Sequence, residues 1–155
     1  MILLDNNLLD KCDFSSGDIT YDFAKKSDTT ALIHFMGKHP QAAFCEWQDK
    51  QFVNKALDFN AIIIIVSKLG RAIVGVAIAG IMGTRATINH IAVDPGHRKQ
   101  RIGSQLVNRS LAEIKQRGVR RVFLFVDDDN IAAFSFWSKH GFKPTINETT
   151  MERDL

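Results

Sequence analysis

Two apolar runs constrain this fold more than anything else in the chain. Ala61-Ile-Ile-Ile-Ile-Val66 and Ala72 to Ile81 flank a turn at Leu69-Gly70-Arg71. The first is β-branched and short, so both read as strands rather than helices. Their near-continuous hydrophobicity implies burial on both faces, which requires covering layers on each side of a sheet. Ala86 to Val93 reads as a third strand of this set, stopped by Asp94-Pro95-Gly96. Gly75 and Gly80 inside the second run suggest a bulge or a close packing contact.

The covering helices are readable around this sheet. Ser27 or Asp28 can cap a helix from Thr29 to Lys38, ended near His39-Pro40. A second helix is expected from Ala42 to Phe59, with Phe44, Trp47, Phe52, Val53 and Leu57 as its apolar face. Ile102, Leu106, Val107, Leu111 and Ile114 share one face of a third helix, which Gly118 ends. A fourth starts at Asn130, runs through Trp137 to His140 and stops at Gly141. Ile19 to Ala24 reads as a first strand, Arg121 to Val126 as a further buried one, and Phe142 to Met151 as a terminal strand pair. The order β-α-α-β-β-β-α-β-α-β gives an α/β chain with a mixed sheet, not a doubly wound nucleotide fold. The 155 residues read as a single domain, 1–155, with 1–18 as an N-terminal extension.

A chain of this length buries about 68–70% of its unfolded surface, enough for a core without staples. Two cysteines, Cys12 and Cys45, make no disulfide framework, and a reducing, cytoplasmic setting is expected. Asp5 and Asp10 interrupt the apolar residues near the N-terminus and no basic stretch precedes them, so no ordinary signal peptide is expected. Ala72 to Met82 contains two glycines and falls well short of the roughly 20 residues that span a bilayer. No membrane partner is expected.

Net charge is +3, but its distribution says more. Residues 94–121 carry 8 Lys/Arg against 2 Asp/Glu, whereas residues 1–60 carry 6 against 9 and residues 122–155 carry 3 against 6. A basic focus between acidic ends suits a polyanionic ligand such as a phosphorylated cofactor. No aromatic-interleaved basic strand or nucleic-acid motif accompanies the charges, so nucleic acid is not the expected partner.

That focus coincides with a strand, turn, basic loop and helix start, Ile88 to Leu106. The unpaired N–H groups and dipole of a helix N-terminus make an anion site. Gly103 would let a phosphate approach the backbone, Ser104 adds a hydroxyl, and Arg98, Lys99 and Arg101 raise the local field. There is no Walker loop here. An ordinary strand-to-helix connection with solvated basic residues is the competing reading.

Arg98-Lys99-Gln100-Arg101-Ile102-Gly103 resembles the R/Q-x-x-G-x-G/A acyl-CoA loop of the GNAT superfamily of N-acetyltransferases, with Arg101 in place of the first glycine. Asn130, Ala133, Phe136, Trp137 and Gly141-Phe142 resemble the family's N-x-x-A-x-x-F-Y and G-F block, and Ile91-Ala-Val-Asp-Pro95 is typical as well. The resemblance covers residues 86–142 and implies a mostly antiparallel sheet whose middle strands splay. It also implies that the pantetheine arm of acetyl-CoA, the cosubstrate, pairs along Ile91, Ala92 and Val93. The pyrophosphate would lie on residues 98–103 and Ser104, with Ala133 and Phe136 beside the cofactor. Asn130 either bonds the pantetheine or caps its own helix. No metal is implied, and a homodimer stays open.

Acetyl transfer to a primary amine of a small molecule or peptide, by direct attack in a ternary complex, is the activity the resemblance implies. A CoA-binding regulatory domain without turnover is the alternative, and a small basic nucleic-acid binder a third reading. The acid/base set separates the first two. Trp137 occupies the place of the family's tyrosine acid, and the one tyrosine, Tyr21, lies in the first strand. Thr87, Asn89 and Phe125 stand where relatives carry bases, and none accepts a proton at neutral pH. His90 is the nearest titratable group and the catalytic candidate, since an imidazole has a reference pKa of about 6.5. Strict alternation points it away from Asn89 unless a bulge rotates it, so a structural histidine is the competing reading.

Other clusters have plainer readings. Asp127-Asp-Asp-Asn130 lacks the glycine and terminal glutamate of a calcium loop; it reads as a helix-start charge cluster or as an acidic rim for a cationic amine. His34, His39, His90, His97 and His140 show no metal-ligand spacing. Cys45 reads as a small core residue rather than a nucleophile.

Overall fold

The computed structural model describes residues 17–40, 45–149, 151 and 153. Five strands form one sheet in chain order: β1 (Thr20–Phe23), β2 (Ile62–Leu69), β3 (Ala72–Met82), β4 (Arg85–Val93) and β5 (Arg121–Phe123). The first four pair antiparallel, and β5 joins β4 in parallel. Helices α1 (Thr29–Gly37) and α2 (Lys50–Asp58) cover one face; α3 (Ile102–Gln116) and α4 (Ile131–Lys139) cover the other.

The two-sided apolar runs have the expected consequence. Along β2, Ile63 and Ile65 pack with Ile102, Leu106, Val107 and Trp137, while Ile64 and Val66 pack with Leu32, Phe35, Met36 and Val53. Along β3, Ala77 and Ala79 face α3, and Val76 and Ile78 face α1. Burying each such Ile, Val or Leu contributes about 1.5–3 kcal/mol. Gly70 takes φ +60° in the β2–β3 turn, a conformation that costs an L side chain energy. Gly75 serves close packing: a Cβ there would lie 2.6 Å from Ser67 Oγ and 3.1 Å from both Ile102 Cγ2 and Leu106 Cδ1. The first turn of α3 sits down on the sheet because nothing projects from residue 75.

Several expected elements differ. The helix expected from Ala42 to Phe59 is a 3-10 turn, Cys45–Gln48, followed by α2; residues 41–44 lie outside the described residues. Asp49 makes the break, holding an extended backbone while its carboxylate accepts the Phe52 amide at 2.7 Å. The strand expected from Arg121 to Val126 stops at Phe123. The terminal strand pair expected from Phe142 does not form among the described residues. Pro144 offers no N–H, Asn147 takes φ +63°, and Ile146 is 83% exposed, so neither pairing nor burial drives a strand there. Of the expected extension 1–18, only Gly17 and Asp18 are described. Cys12 and the side chain of Cys45 also lie outside the described residues.

At the start of α1, Asp28 occupies the cap position without capping. Its carboxylate accepts instead from the Lys25 amide at 2.9 Å and the Lys68 ammonium at 2.6 Å, pinning α1 to β2.

Candidate active site

The site begins where β4 and β5 part. They pair only at Arg85↔Arg121, Ala86↔Val122 and Thr87↔Phe123. Just beyond, the β3–β4 register jumps from Ala79↔Ile88 to Ile78↔His90, so Asn89 is the extra residue of a bulge. Bulges bend a strand and increase its twist, and this one turns β4 away from the line of β5.

The bulge also shifts side-chain parity. Ala86 and Ile88 before it, and Ile91 and Val93 after it, all face α3. His90 and Ala92 therefore turn to the α1 face, where Ala92 packs with that cluster. His90 is 8% exposed, with the Trp47 ring edge-on at 5.8 Å between centroids. Strict alternation would have put Asn89 and His90 on opposite faces; the bulge puts both on the α1 face.

Backbone direction follows from the ladder. The Asp94 amide donates to the Val74 carbonyl at 2.9 Å, which makes Gly75↔Val93 a non-hydrogen-bonded pair. Val93, and Ile91 two residues earlier, thus aim their N–H and C=O into the fork, while those of Ala92 point at β3. Arg98 Nε donates to the Val93 carbonyl at 3.2 Å, folding that side chain along the same edge.

After β4 the chain turns tightly. Asp94 Oδ1 accepts the Gly96 amide at 2.9 Å and lies 3.4 Å from His97 Nδ1. The Gly96 N–H is the main reason its carboxyl titrates below the ordinary aspartate value. Lys99 and Arg101 hold φ +62° and +63°. Arg101 is the N-cap of α3, and its side chain makes no cap bond. The first helical bond runs from Gln105 N to Arg101 O at 3.0 Å, so the helix supplies no partner for the amides of Ile102, Gly103 and Ser104. A left-handed residue followed by a helical one converges consecutive N–H groups into an anion-binding concavity. Arg98, Lys99, Gln100 and Arg101 are exposed around it.

The wall beside this loop is apolar. A Cβ on Gly103 would lie 3.5 Å from two ring carbons of Phe136 and 3.7 Å from Val93 Cγ2, so α3, α4 and the β4 edge meet at that glycine. Ala133 and Phe136 pack half-buried against the α3-side core. Asn130 caps α4, its Oδ1 accepting the Ala133 amide at 3.0 Å, which leaves its Nδ2 donors without a bond among the described residues. Trp137 is buried edge-on to Phe136 and Phe142. Tyr21 lies three strands away from β4, under the Arg109 guanidinium at 4.9 Å. Among the described residues, no three His, Cys, Asp or Glu side chains gather as a metal site. No described helix is long and apolar enough to cross a membrane.

Three contributors were incompletely legible in the sequence, which gave Gly75 a close packing contact without its partners and a bulge only as a condition on the orientation of His90. Trp47 was assigned only to a helix face, yet it covers His90. Gly75 seats the end of α3 that carries the loop. The bulge itself had a signal: two consecutive polar residues, Asn89 and His90, shift the apolar pattern from 86 and 88 to 91 and 93.

Comparison with known proteins agrees with this architecture. The Acetyltransferase (GNAT) family matches residues 26–142, and the chain belongs to that family. It is 35% identical over 78 residues to the [ribosomal protein bS18]-alanine N-acetyltransferase of Escherichia coli (strain K12), covering 50% of each chain. The chain thus spans about half the length of the curated relatives it matches. Its fold is similar to that of an aminoglycoside acetyltransferase from an uncultured soil metagenomic sample in complex with sisomicin, with TM-score 0.70, 22% identity, and 88% and 95% of the two chains covered. It is similar as well to a predicted acetyltransferase with acetyl-CoA from Clostridium acetobutylicum, with TM-score 0.72, 15% identity, and 87% and 96% covered.

Proposed function

We propose that this protein is an N-acetyltransferase that moves an acetyl group from acetyl-CoA to a primary amine by direct attack in a ternary complex. The observation that carries the reading is the fork at Thr87 and Phe123, which opens onto the uncapped amides of Ile102, Gly103 and Ser104. Acetyl-CoA as substrate suits both parts. Its amide-bearing arm can pair with the edge groups of Ile91 and Val93, and its diphosphate with the 98–104 loop. Ala133 and Phe136 give the arm an apolar wall, and the Asn130 Nδ2 can donate to it while Oδ1 still caps α4.

The acceptor nitrogen attacks the thioester carbonyl, the C–S bond breaks, and the amine proton must leave. His90, directly or through a water, takes that proton, and solvent protonates the departing thiolate. The Trp137 indole N–H does not act as an acid at neutral pH, and Tyr21 is out of reach. The acceptor is the amine of a peptide N-terminus or a small molecule; the bS18-alanine acetyltransferase relative makes the peptide the first to try. A CoA-binding regulatory domain is the second reading, favoured by the indole and phenyl side chains at Trp137 and Phe125.

Mass spectrometry of reactions with acetyl-CoA and a panel of amines and peptides tests the proposal. It expects one acetyl group gained on nitrogen and a pH–rate profile whose acidic limb changes in His90→Ala. Acetyl on oxygen alone, or no product across the panel, overturns it. An unchanged profile in His90→Ala places the base elsewhere.

A further inference from the structure

Arg98 stands at the head of the basic loop, yet its side chain turns back to the strand. Its Nε donates to the Val93 carbonyl at 3.2 Å, and among the described residues the guanidinium makes no other hydrogen bond and no ion pair. The carbonyl draws nothing from β3, because Gly75↔Val93 is a non-hydrogen-bonded pair. The intervening turn fixes this return. Asp94 Oδ1 accepts the Gly96 amide at 2.9 Å, the His97 amide donates to the Asp94 carbonyl at 2.9 Å, and Arg98 leaves the 3-10 turn Pro95–His97 extended, at φ −68° and ψ 166°. A guanidinium gains more from an anion than from a neutral carbonyl, since a hydrogen bond between two ionised groups is the stronger kind. A diphosphate on the loop would therefore break the bond to Val93.

We propose that Arg98 is a latch on the β4 edge. It holds the Val93 carbonyl until a diphosphate draws it away, so the site selects nucleotide-linked thioesters over pantetheine thioesters that lack a diphosphate. The proposal rests on the acetyltransferase reading above, which gives the Val93 edge to the amide-bearing arm and residues 98–104 to the diphosphate. It adds that the two halves of the donor do not bind independently. An arm arriving alone meets a carbonyl already in use, with the Cδ next to Nε lying against the same edge. An arm that brings its diphosphate supplies the guanidinium with a stronger partner. Linkage makes the effect reciprocal: an anion on the loop strengthens arm binding, and the arm strengthens anion binding.

ADP and pantetheine, the two halves of dephospho-CoA, serve as separate probes in amide chemical-shift titrations of the full chain. In wild type, saturating ADP should tighten pantetheine binding about fivefold, the scale of one hydrogen bond. In Arg98→Ala, pantetheine alone should bind about fivefold tighter than it does to wild type, and ADP should add nothing. CoA should bind that variant about tenfold more weakly. A residue that merely shapes the loop would weaken every ligand together when removed. Loss of pantetheine affinity in Arg98→Ala, no effect of ADP on pantetheine in wild type, or no detectable pantetheine binding to either protein overturns the latch alone, provided that CoA binds. The wild-type ADP comparison needs no variant, so the test stands even if Arg98→Ala does not fold. Absence of CoA binding to wild type overturns the acetyltransferase reading together with the latch.

Discussion

Arg101 holds a backbone conformation that L side chains resist, at the start of the helix whose amides face the proposed diphosphate site. A non-glycine residue in the left-handed region costs about 1–2 kcal/mol, and Lys99 carries a second such strain two residues earlier. The sequence showed Arg101 as a departure from the family loop; the structure shows that the backbone there keeps a geometry suited to glycine. Arg101→Gly should therefore raise the stability by about 1 kcal/mol in urea unfolding and still bind CoA. A drop in stability would mean that the strain is absent. Asp28 gives a pH-dependent counterpart. Burial alone raises its carboxyl pKa, but the Lys68 ammonium and the Lys25 N–H outweigh that and hold it below the ordinary aspartate value. A depressed folded-state pKa contributes stability above the unfolded value of about 3.9, lost as the pH falls through the folded one. Asp28→Asn should cost about 2 kcal/mol at neutral pH, and the gap from wild type should narrow in acid. Equal stabilities at pH 7 would contradict this. Neither Asp28's partner nor Trp47's cover over His90 was legible in the sequence, because both join residues some forty positions apart.

Elements were legible wherever burial alone decides them. The β2 and β3 runs, the periodic face of α3 and its stop at Gly118 are written in local apolar pattern. Boundaries set by a distant partner were not. Leu124, Phe125 and Val126 look like strand, but β4 has turned off at its bulge, and Phe125 is 71% exposed. Gly75 pointed to a close packing contact, but its partners in α3 are invisible locally. Gly75→Ala would drive a methyl into Ser67 Oγ, Ile102 and Leu106, and overpacking of this kind costs about 1–3 kcal/mol. Because the displaced element is the first turn of α3, CoA affinity should fall along with the melting temperature. Adding Ser67→Ala removes the nearest atom and should recover part of the loss. Gly75→Ala with wild-type stability and affinity would show that the contact gives way without consequence.

At the scale of the molecule, one sheet separates two chemistries. The α3 side carries the basic segment, 8 Lys/Arg against 2 Asp/Glu in residues 94–121, together with the uncapped helix start. The α1 side carries the Thr87–Asn89–His90 row, and the fork between β4 and β5 joins them. Fold and loop were legible because the two sequence blocks, 98–103 and 130–142, stand in order on consecutive strand–helix units. The Thr87–Asn89–His90 row was not, since a single bulge decides which of these residues face the α1 side. All of this depends on acetyl-CoA lying along the fork with its diphosphate on the 98–104 loop. Calorimetric titration of CoA and dephospho-CoA into wild type, Arg98→Glu, and Arg98→Glu with Gly103→Val tests that directly. Arg98 is exposed, so the single variant keeps the test valid if the double variant does not fold. Binding of both ligands to wild type, weakened about tenfold or more by Arg98→Glu and further in the folded double variant, is the predicted result. Unchanged affinity in the variants, or no binding to wild type, would contradict the account.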